Sequence, residues 1–301
     1  LNIKACAVVD SDLRSITPEW IELLIKPVLR SGFDYVAPLY HRHKYDGTIT
    51  NSIIYPLTRA LYGKRVRQPI GGDFGFSGKL ARFYLTKEVW DTDVARYGID
   101  IWMTTTAIAD NFKICQAYLG AKIHDPKDPG ADLSAMLYQV VGATFDLMET
   151  YESVWKTKRD SQPVETFGFQ YAVGLEPVAV NLEGMIDRFR LGVRELAEIW
   201  ELFMPGEIID FLRSLETVRT EKFNIPDDHW AEIVYNFAVA SHKKTLNKEH
   251  LLKSLTTLYL GRVASFVLET QDSNGSEVEE KIERLSLNFE RKKDFLLTAW
   301  G

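Results

Sequence analysis

The chain has little cysteine: Cys6 and Cys115 are the two among 301 residues. Each sits in an apolar stretch, which suits a buried reduced thiol, since free cysteine is among the most buried residue types. Two cysteines do not make a zinc site without histidines at ligand spacing, and sequence alone gives no ground for a disulfide. The cytoplasm is therefore the expected compartment. A basic excess is also lacking: 36 Lys and Arg face 42 Asp and Glu, for a formal net charge of −6. That argues against a nucleic-acid partner, but leaves room for a local basic pocket that attracts phosphates. No apolar run approaches the ~20 residues of a membrane span, so no span is expected. The opening Leu1-Asn2-Ile3-Lys4 lacks a secretory pattern. No repeat of fixed period is present.

What is there is ordinary globular material, 46% apolar and 26% charged. The length suffices for one large core or two smaller ones. Residues 3–9 are short, apolar and partly β-branched, which predicts a strand buried on both faces. Thr17-Pro18 is a helix start, and Gly32 a stop. Residues 33–39 read as the next strand, 51–62 as a helix, 98–109 as a loop entering a helix, and 112–119 as a strand. Strand, helix, strand predicts a layered α/β fold. Residues 68–75 hold too much glycine for a regular element and predict a loop shaped for close backbone approach.

Beyond residue 130 the period changes. Residues 133–155 read as a long helix and 157–177 as a break. From Asn181, the residues Leu182, Met185, Ile186, Phe189, Val193, Leu196, Trp200 and Phe203 step by three and four along one face. Further helices fit 207–218, 227–240, 247–268 and 276–297. The expected organisation is an α/β part over 1–130 and a helical part over 131–301.

Asp10 and Asp12 follow the first strand directly. Ligands of open α/β sheets bind beyond the carboxyl ends of strands. Two carboxylates one residue apart suit Mg²⁺ or Mn²⁺, which takes oxygen ligands and substrate phosphates together. A polar turn before a helix would use the same residue types.

Around these residues the chain resembles a family. Ala7-Val8-Val9-Asp10-Ser11-Asp12 is similar to the D-x-D strand end of GT-A glycosyltransferases. Gln68-Pro69-Ile70-Gly71-Gly72-Asp73-Phe74 resembles their Gly-rich loop at the sugar and acceptor. Tyr97-Gly98-Ile99-Asp100 resembles an element beside the reacting sugar. Gly120-Ala121-Lys122-Ile123-His124 resembles the strand end that gives a third metal ligand. Together they look like retaining enzymes of the mannosylglycerate synthase and glucosyl-3-phosphoglycerate synthase type, with spacing nearer the first. The resemblance implies a GT-A-like, mostly parallel sheet with flanking helices and an all-helical C-terminal region.

It further implies a divalent metal, Mg²⁺ or Mn²⁺, held by Asp12 and His124, with Asp10 beside metal and ribose. Gly71, Gly72 and Asp73 would face the sugar, and Asp100 would sit at the catalytic centre. Arg42 and Thr50 would grip the acceptor carboxylate, a task that suits the planar fork of arginine. The donor would be GDP-mannose or a UDP- or GDP-glucose, and the acceptor a small hydroxy acid such as glycerate. One departure is large: nine residues precede Asp10, whereas a βαβ unit needs about 30. The nucleotide-binding half usual in the family is missing from this sequence, and an exposed sheet edge is expected.

Lys64, Arg65 and Arg67 form a basic cluster that reads as solvated surface or as phosphate attraction. His41 and His43, two apart, read as a loop more than as a metal pair. Two rival functions remain open. A nucleotidyltransferase would release pyrophosphate in place of a nucleoside diphosphate. A truncated, inactive relative would act as a homo-oligomeric scaffold and give no heat with any sugar nucleotide.

Overall fold

The protein, a computed structural model, is described over residues 2–123, 133–170 and 178–301. The α/β part runs through β1 (Ala5–Val8), α1 (Pro18–Ser31), β2 (Tyr35–His41), α2 (Tyr55–Tyr62), β3 (Lys64–Arg65), β4 (Phe74–Ser77), α3 (Gly78–Tyr84), α4 (Ile99–Ala109) and β5 (Ile114–Ala121). It continues with α5 (Leu133–Thr150), α6 (Glu152–Trp155), β6 (Gln162–Pro163) and β7 (Glu165–Phe167). The helices α7 (Leu182–Trp200), α8 (Gly206–Ser214), α9 (Asp227–His242), α10 (Lys248–Thr270), α11 (Gly275–Arg291) and α12 (Lys293–Trp300) follow.

The main sheet has five strands in the order β1-β4-β2-β5-β7. β2 pairs with β5, and β5 with β7, in parallel; β4 is antiparallel to β1 and to β2. Four strands therefore share one direction and β4 alone runs against them. The fold is mixed α/β with a mostly parallel sheet followed by helices. β2 shows why: Val36 and Tyr40 pack under α1 with Trp20, Leu24 and Val28, while Tyr35 and Ala37 join the larger core on the other face. A strand covered on both faces reads as an unbroken apolar run.

Four short strands were not anticipated: β3, β4, β6 and β7. β4 starts at the end of the stretch expected to be loop, and β6 and β7 lie inside the expected break. The first strand also differs from expectation. It is an edge strand whose Ala7 and Val8 are exposed, as is Val9 behind it, so it is not buried on both faces.

The helix expected over 51–62 begins as a π turn, Thr50–Ile54, before α2. Pro56 has no N–H to offer the Ser52 carbonyl four residues earlier. That carbonyl accepts the indole N–H of Trp230 instead, at 2.7 Å. The largest core cluster runs from Tyr35 in β2 to Trp300 in α12 and includes the expected stripe of α7: Met185, Ile186, Phe189, Val193 and Trp200. Among the described residues one helix, α10, is long and apolar enough to cross a membrane by length and composition, with mean hydropathy 1.3 over its best window. Of that window, 78% is buried inside the molecule, as in a core helix.

Candidate functional site

Three segments distant in sequence meet at one ammonium. Lys122, just past the end of β5, sends its Nζ to Asp10 Oδ2 at 2.6 Å, to the Gly71 carbonyl at 2.7 Å and to Asp73 Oδ2 at 3.0 Å. Its side chain is 5% exposed and that of Asp73 is fully buried. A buried charge persists only when paired and hydrogen-bonded. Asp73 meets that condition three ways, since its Oδ1 accepts the Asp10 backbone N–H at 2.9 Å and its Oδ2 also accepts the Tyr40 hydroxyl. Lys122 falls within the strand-exit motif of residues 120–124, but nothing in the sequence pattern gives it a role of its own.

The Gly-rich loop fits this cluster because it lacks side chains. Gly72 has φ +82°, a conformation that favours glycine. A Cβ there would stand 2.2 Å from Asp10 Oδ2, and one on Gly71 would stand 2.2 Å from Pro38 Cγ. The loop is fixed from behind, where the Thr104 hydroxyl donates to the Pro69 carbonyl at 2.7 Å. Gln68 makes a two-way bond with the Tyr40 backbone, its amide donating to the carbonyl and its oxygen accepting the N–H, both at 3.1 Å.

Asp100 occupies the first turn of α4. Burial, then the negative charge of Asp10, pushes its carboxyl up to about 7, against the pull of Lys122 and a hydrogen bond donated by the Gly72 backbone. A carboxyl poised there can hold or release a proton near neutrality.

Asp12 lies exposed in the turn after β1. Two bonds tie that turn to the exit of β5: Arg14 N–H donates to the Ile123 carbonyl at 2.9 Å, and Ile123 N–H donates to Ser15 Oγ at 3.0 Å. His124, the expected third ligand, lies outside the described residues. Among the described residues no three His, Cys, Asp or Glu side chains converge as a metal cage. The carboxylate oxygens of Asp10 and Asp12 still suit Mg²⁺ or Mn²⁺, which commonly takes one or two carboxylates and completes its shell with water and substrate phosphates. Asp10 already shares one oxygen with Lys122.

Arg42 and Thr50 come together at a cavity of about 1230 Å³. Arg42 lies 5.2 Å from the centre of the Tyr40 ring, and Lys122 lies 5.2 Å from the same centre. Tyr40 thus joins the carboxylate cluster to the cavity it lines. His41 and His43 also line the cavity. Burial and the neighbouring Lys44 lower the pKa of His43, and its Nδ1 accepts the Tyr45 N–H at 3.3 Å.

No protein-family model matches the sequence, and no curated protein matches it. Solved structures similar to it include glucosyl-3-phosphoglycerate synthases. One is the Mycobacterium tuberculosis enzyme in complex with Mn²⁺, UDP-glucose and phosphoglyceric acid: 26% identity, 48% of this chain, 50% of that one, TM-score 0.41. Another is that enzyme with Mg²⁺ and UDP: 26% identity, 48% of this chain, 49% of that one, TM-score 0.41. A mycobacterial protein matches at 25% identity over 48% of this chain and 46% of its own, TM-score 0.37. The chain spans about half the length of these structures.

Proposed function

We propose that the chain carries the metal, sugar and acceptor side of a retaining glycosyltransferase, which moves a hexose from a nucleotide-diphosphate sugar to a hydroxy acid. What supports this reading is the meeting of the Asp10 turn, the Gly71-Gly72-Asp73 loop and the β5 exit at Lys122. Those are the segments in which the sequence resembles GT-A enzymes. The two bonds that join Arg14 and Ser15 to Ile123 hold the turn that carries Asp12 against the exit of β5.

In this reading Asp12 and His124 would hold a divalent cation, with Asp10 beside it. When bound, that cation supplies positive charge to a diphosphate leaving group. The residues of the chain do the rest. Lys122 adds a fixed ammonium at the same carboxylates, and Gly71 and Gly72 leave backbone open to the sugar. Asp73 is immobilised by its three partners and holds the loop in register. Asp100, titrating near neutrality, accepts or returns a proton at its carboxyl oxygen. Arg42 and Thr50 orient the acceptor carboxylate so that its hydroxyl attacks from the face the leaving group vacates. A cytoplasmic location goes with this reading, because both cysteines are free thiols.

Titration calorimetry with Mn²⁺ and GDP-mannose, UDP-glucose and GDP-glucose tests it. Mn²⁺-dependent heat with one donor is expected, and Asp12→Ala should lose it. Equal heat from the variant removes the metal role. Silence with every donor favours the scaffold reading, and pyrophosphate release the nucleotidyltransferase.

A further inference from the structure

A glycine and a proline shape the rim at Arg42 and Thr50. Gly47 has φ +70°, and a Cβ there would stand 3.3 Å from Arg42 Nη1 and 3.9 Å from Thr50 Oγ1. The two polar atoms therefore face one small space, which the missing side chain leaves free. Arg42 keeps a donor to spare: its Nε is buried with no hydrogen-bond partner among the described residues, and Asp46 stands 3.8 Å from Nη1. Thr50, by contrast, is placed by the winding of the chain around it.

Thr50 opens the π turn, in which the Tyr55 N–H donates to the Thr50 carbonyl five residues back. Thr50 and Asn51 both line the cavity. Such turns are uncommon in helices and frequent at functional sites. This one persists because Pro56 withholds the N–H that α winding needs at Ser52. Trp230, fully buried in α9, supplies its indole N–H to that carbonyl at 2.7 Å. Without the indole a buried carbonyl would be stranded, which is costly. Tyr259, buried in α10, braces the approach to the turn: its hydroxyl and that of Thr48 lie 2.6 Å apart. The Ser52 hydroxyl in turn donates to the Thr48 carbonyl at 2.6 Å. Residues 48–52 are thus fastened at both ends to the helical part, by two aromatic side chains that are not among those lining the cavity. Returned to α winding, the segment would meet α2 one residue's rotation away, roughly 100°. Thr50 and Asn51 would then turn from the wall they line.

We propose that Trp230 and Tyr259 are positioning residues for the acceptor: they hold the π turn from behind and so set the Thr50 hydroxyl beside Arg42, without touching the ligand. The proposal rests on the acceptor reading of Arg42 and Thr50 and deepens it. Its test uses no donor or metal.

Titration calorimetry with glycerate and 3-phosphoglycerate, run beside melting curves, separates positioning from packing. W230F strands the Ser52 carbonyl. It should lower the melting temperature and weaken the tighter-binding acid about tenfold, the worth of one hydrogen bond to a charged group. Adding Pro56→Ala to W230F gives that carbonyl an N–H within its own helix. The melting temperature should then recover while the affinity does not, because the turn has become α. Recovery of both means that Trp230 only packs, and overturns its role, as does parent affinity in W230F itself. A double variant no more stable than W230F leaves the new N–H unused and overturns the α alternative on which the proposal stands. Should W230F fail to fold, Y259F combined with Thr48→Val removes the second brace and strands no polar group. It should weaken the same acid about threefold, and parent affinity there overturns the part given to Tyr259. No heat from the parent chain with either acid removes the acceptor reading and this proposal together; parent heat that every variant retains removes this proposal alone.

Discussion

Lys122 holds the site together through charge. Its ammonium touches two carboxylates and one carbonyl, and one of those carboxylates has no access to water. Removing one member of a buried ionic group typically costs about 3–5 kcal/mol, because the other is left uncompensated. Lys122→Met should therefore lower the urea midpoint by that equivalent, and a loss under 1 kcal/mol would mean that Asp73 is adequately held by Tyr40 and the Asp10 N–H alone. Lys293 is a second buried ammonium, 3% exposed, donating to the carbonyls of Ala60, Leu61, Trp155 and Lys158. Burial, with Arg159 nearby, pushes it down to about 7. Below that pH folded and unfolded chains both carry the proton, and the full penalty of burying charge is present. Between about pH 7 and 10 the unfolded chain holds more protons than the folded one, so this residue makes stability rise with pH. Relative to Lys293→Met, the parent chain should gain on the order of 2 kcal/mol from pH 6 to pH 9, measured by denaturant unfolding. A flat difference would refute the lowered pKa.

Among the elements, α7 and α10 approach closely because two glycines remove the obstacle. A Cβ on Gly192 would stand 2.5 Å from Thr257 Cβ, and one on Gly261 would stand 2.4 Å from the Phe189 ring. Gly192→Val should cost about 1–3 kcal/mol by overpacking, visible as a lowered melting temperature; an unchanged one would show that the helices slide freely. The α7 stripe could be read from the sequence because a period of 3.6 over nineteen residues is a strong signal. β4 and β7 could not, being four and three residues long. The glycine of Phe74-Gly75-Phe76-Ser77 speaks for a loop, and what makes it a strand is pairing on both sides with β1 and β2. The edge position of β1 was equally hidden, since an apolar run does not say which neighbours it will have. At the site, Asp10, Gly71, Gly72 and Asp73 were visible as local patterns. Lys122 was not, for its partner Asp10 is 112 positions away and a single lysine at a strand exit has no periodicity.

Across the whole molecule, the sheet and the helical part are joined by cations that pass from one to the other. Arg59 of α2, fully buried, reaches Glu283 and Glu290 on α11, and these partners, together with Tyr55, raise its pKa against the effect of burial. Lys293 of α12 reaches back to the end of α2. The core beneath them is continuous from Tyr35 to Trp300. The division near residue 130 stands as a proposal about the chain's organisation; energetically, these ties couple both sides of it.

Lys44 completes the set: its Nζ donates to the carbonyls of Thr270 and Gln271, both at 2.7 Å, and of Ser273 at 3.2 Å, where α10 gives way to α11. The residue stands two positions after Arg42, so the rim that bears the guanidinium is clasped to the hairpin that bears Glu279. The two sides of the opening are thus fastened to each other by one ammonium and three carbonyls, a clasp between segments more than 220 positions apart in the chain.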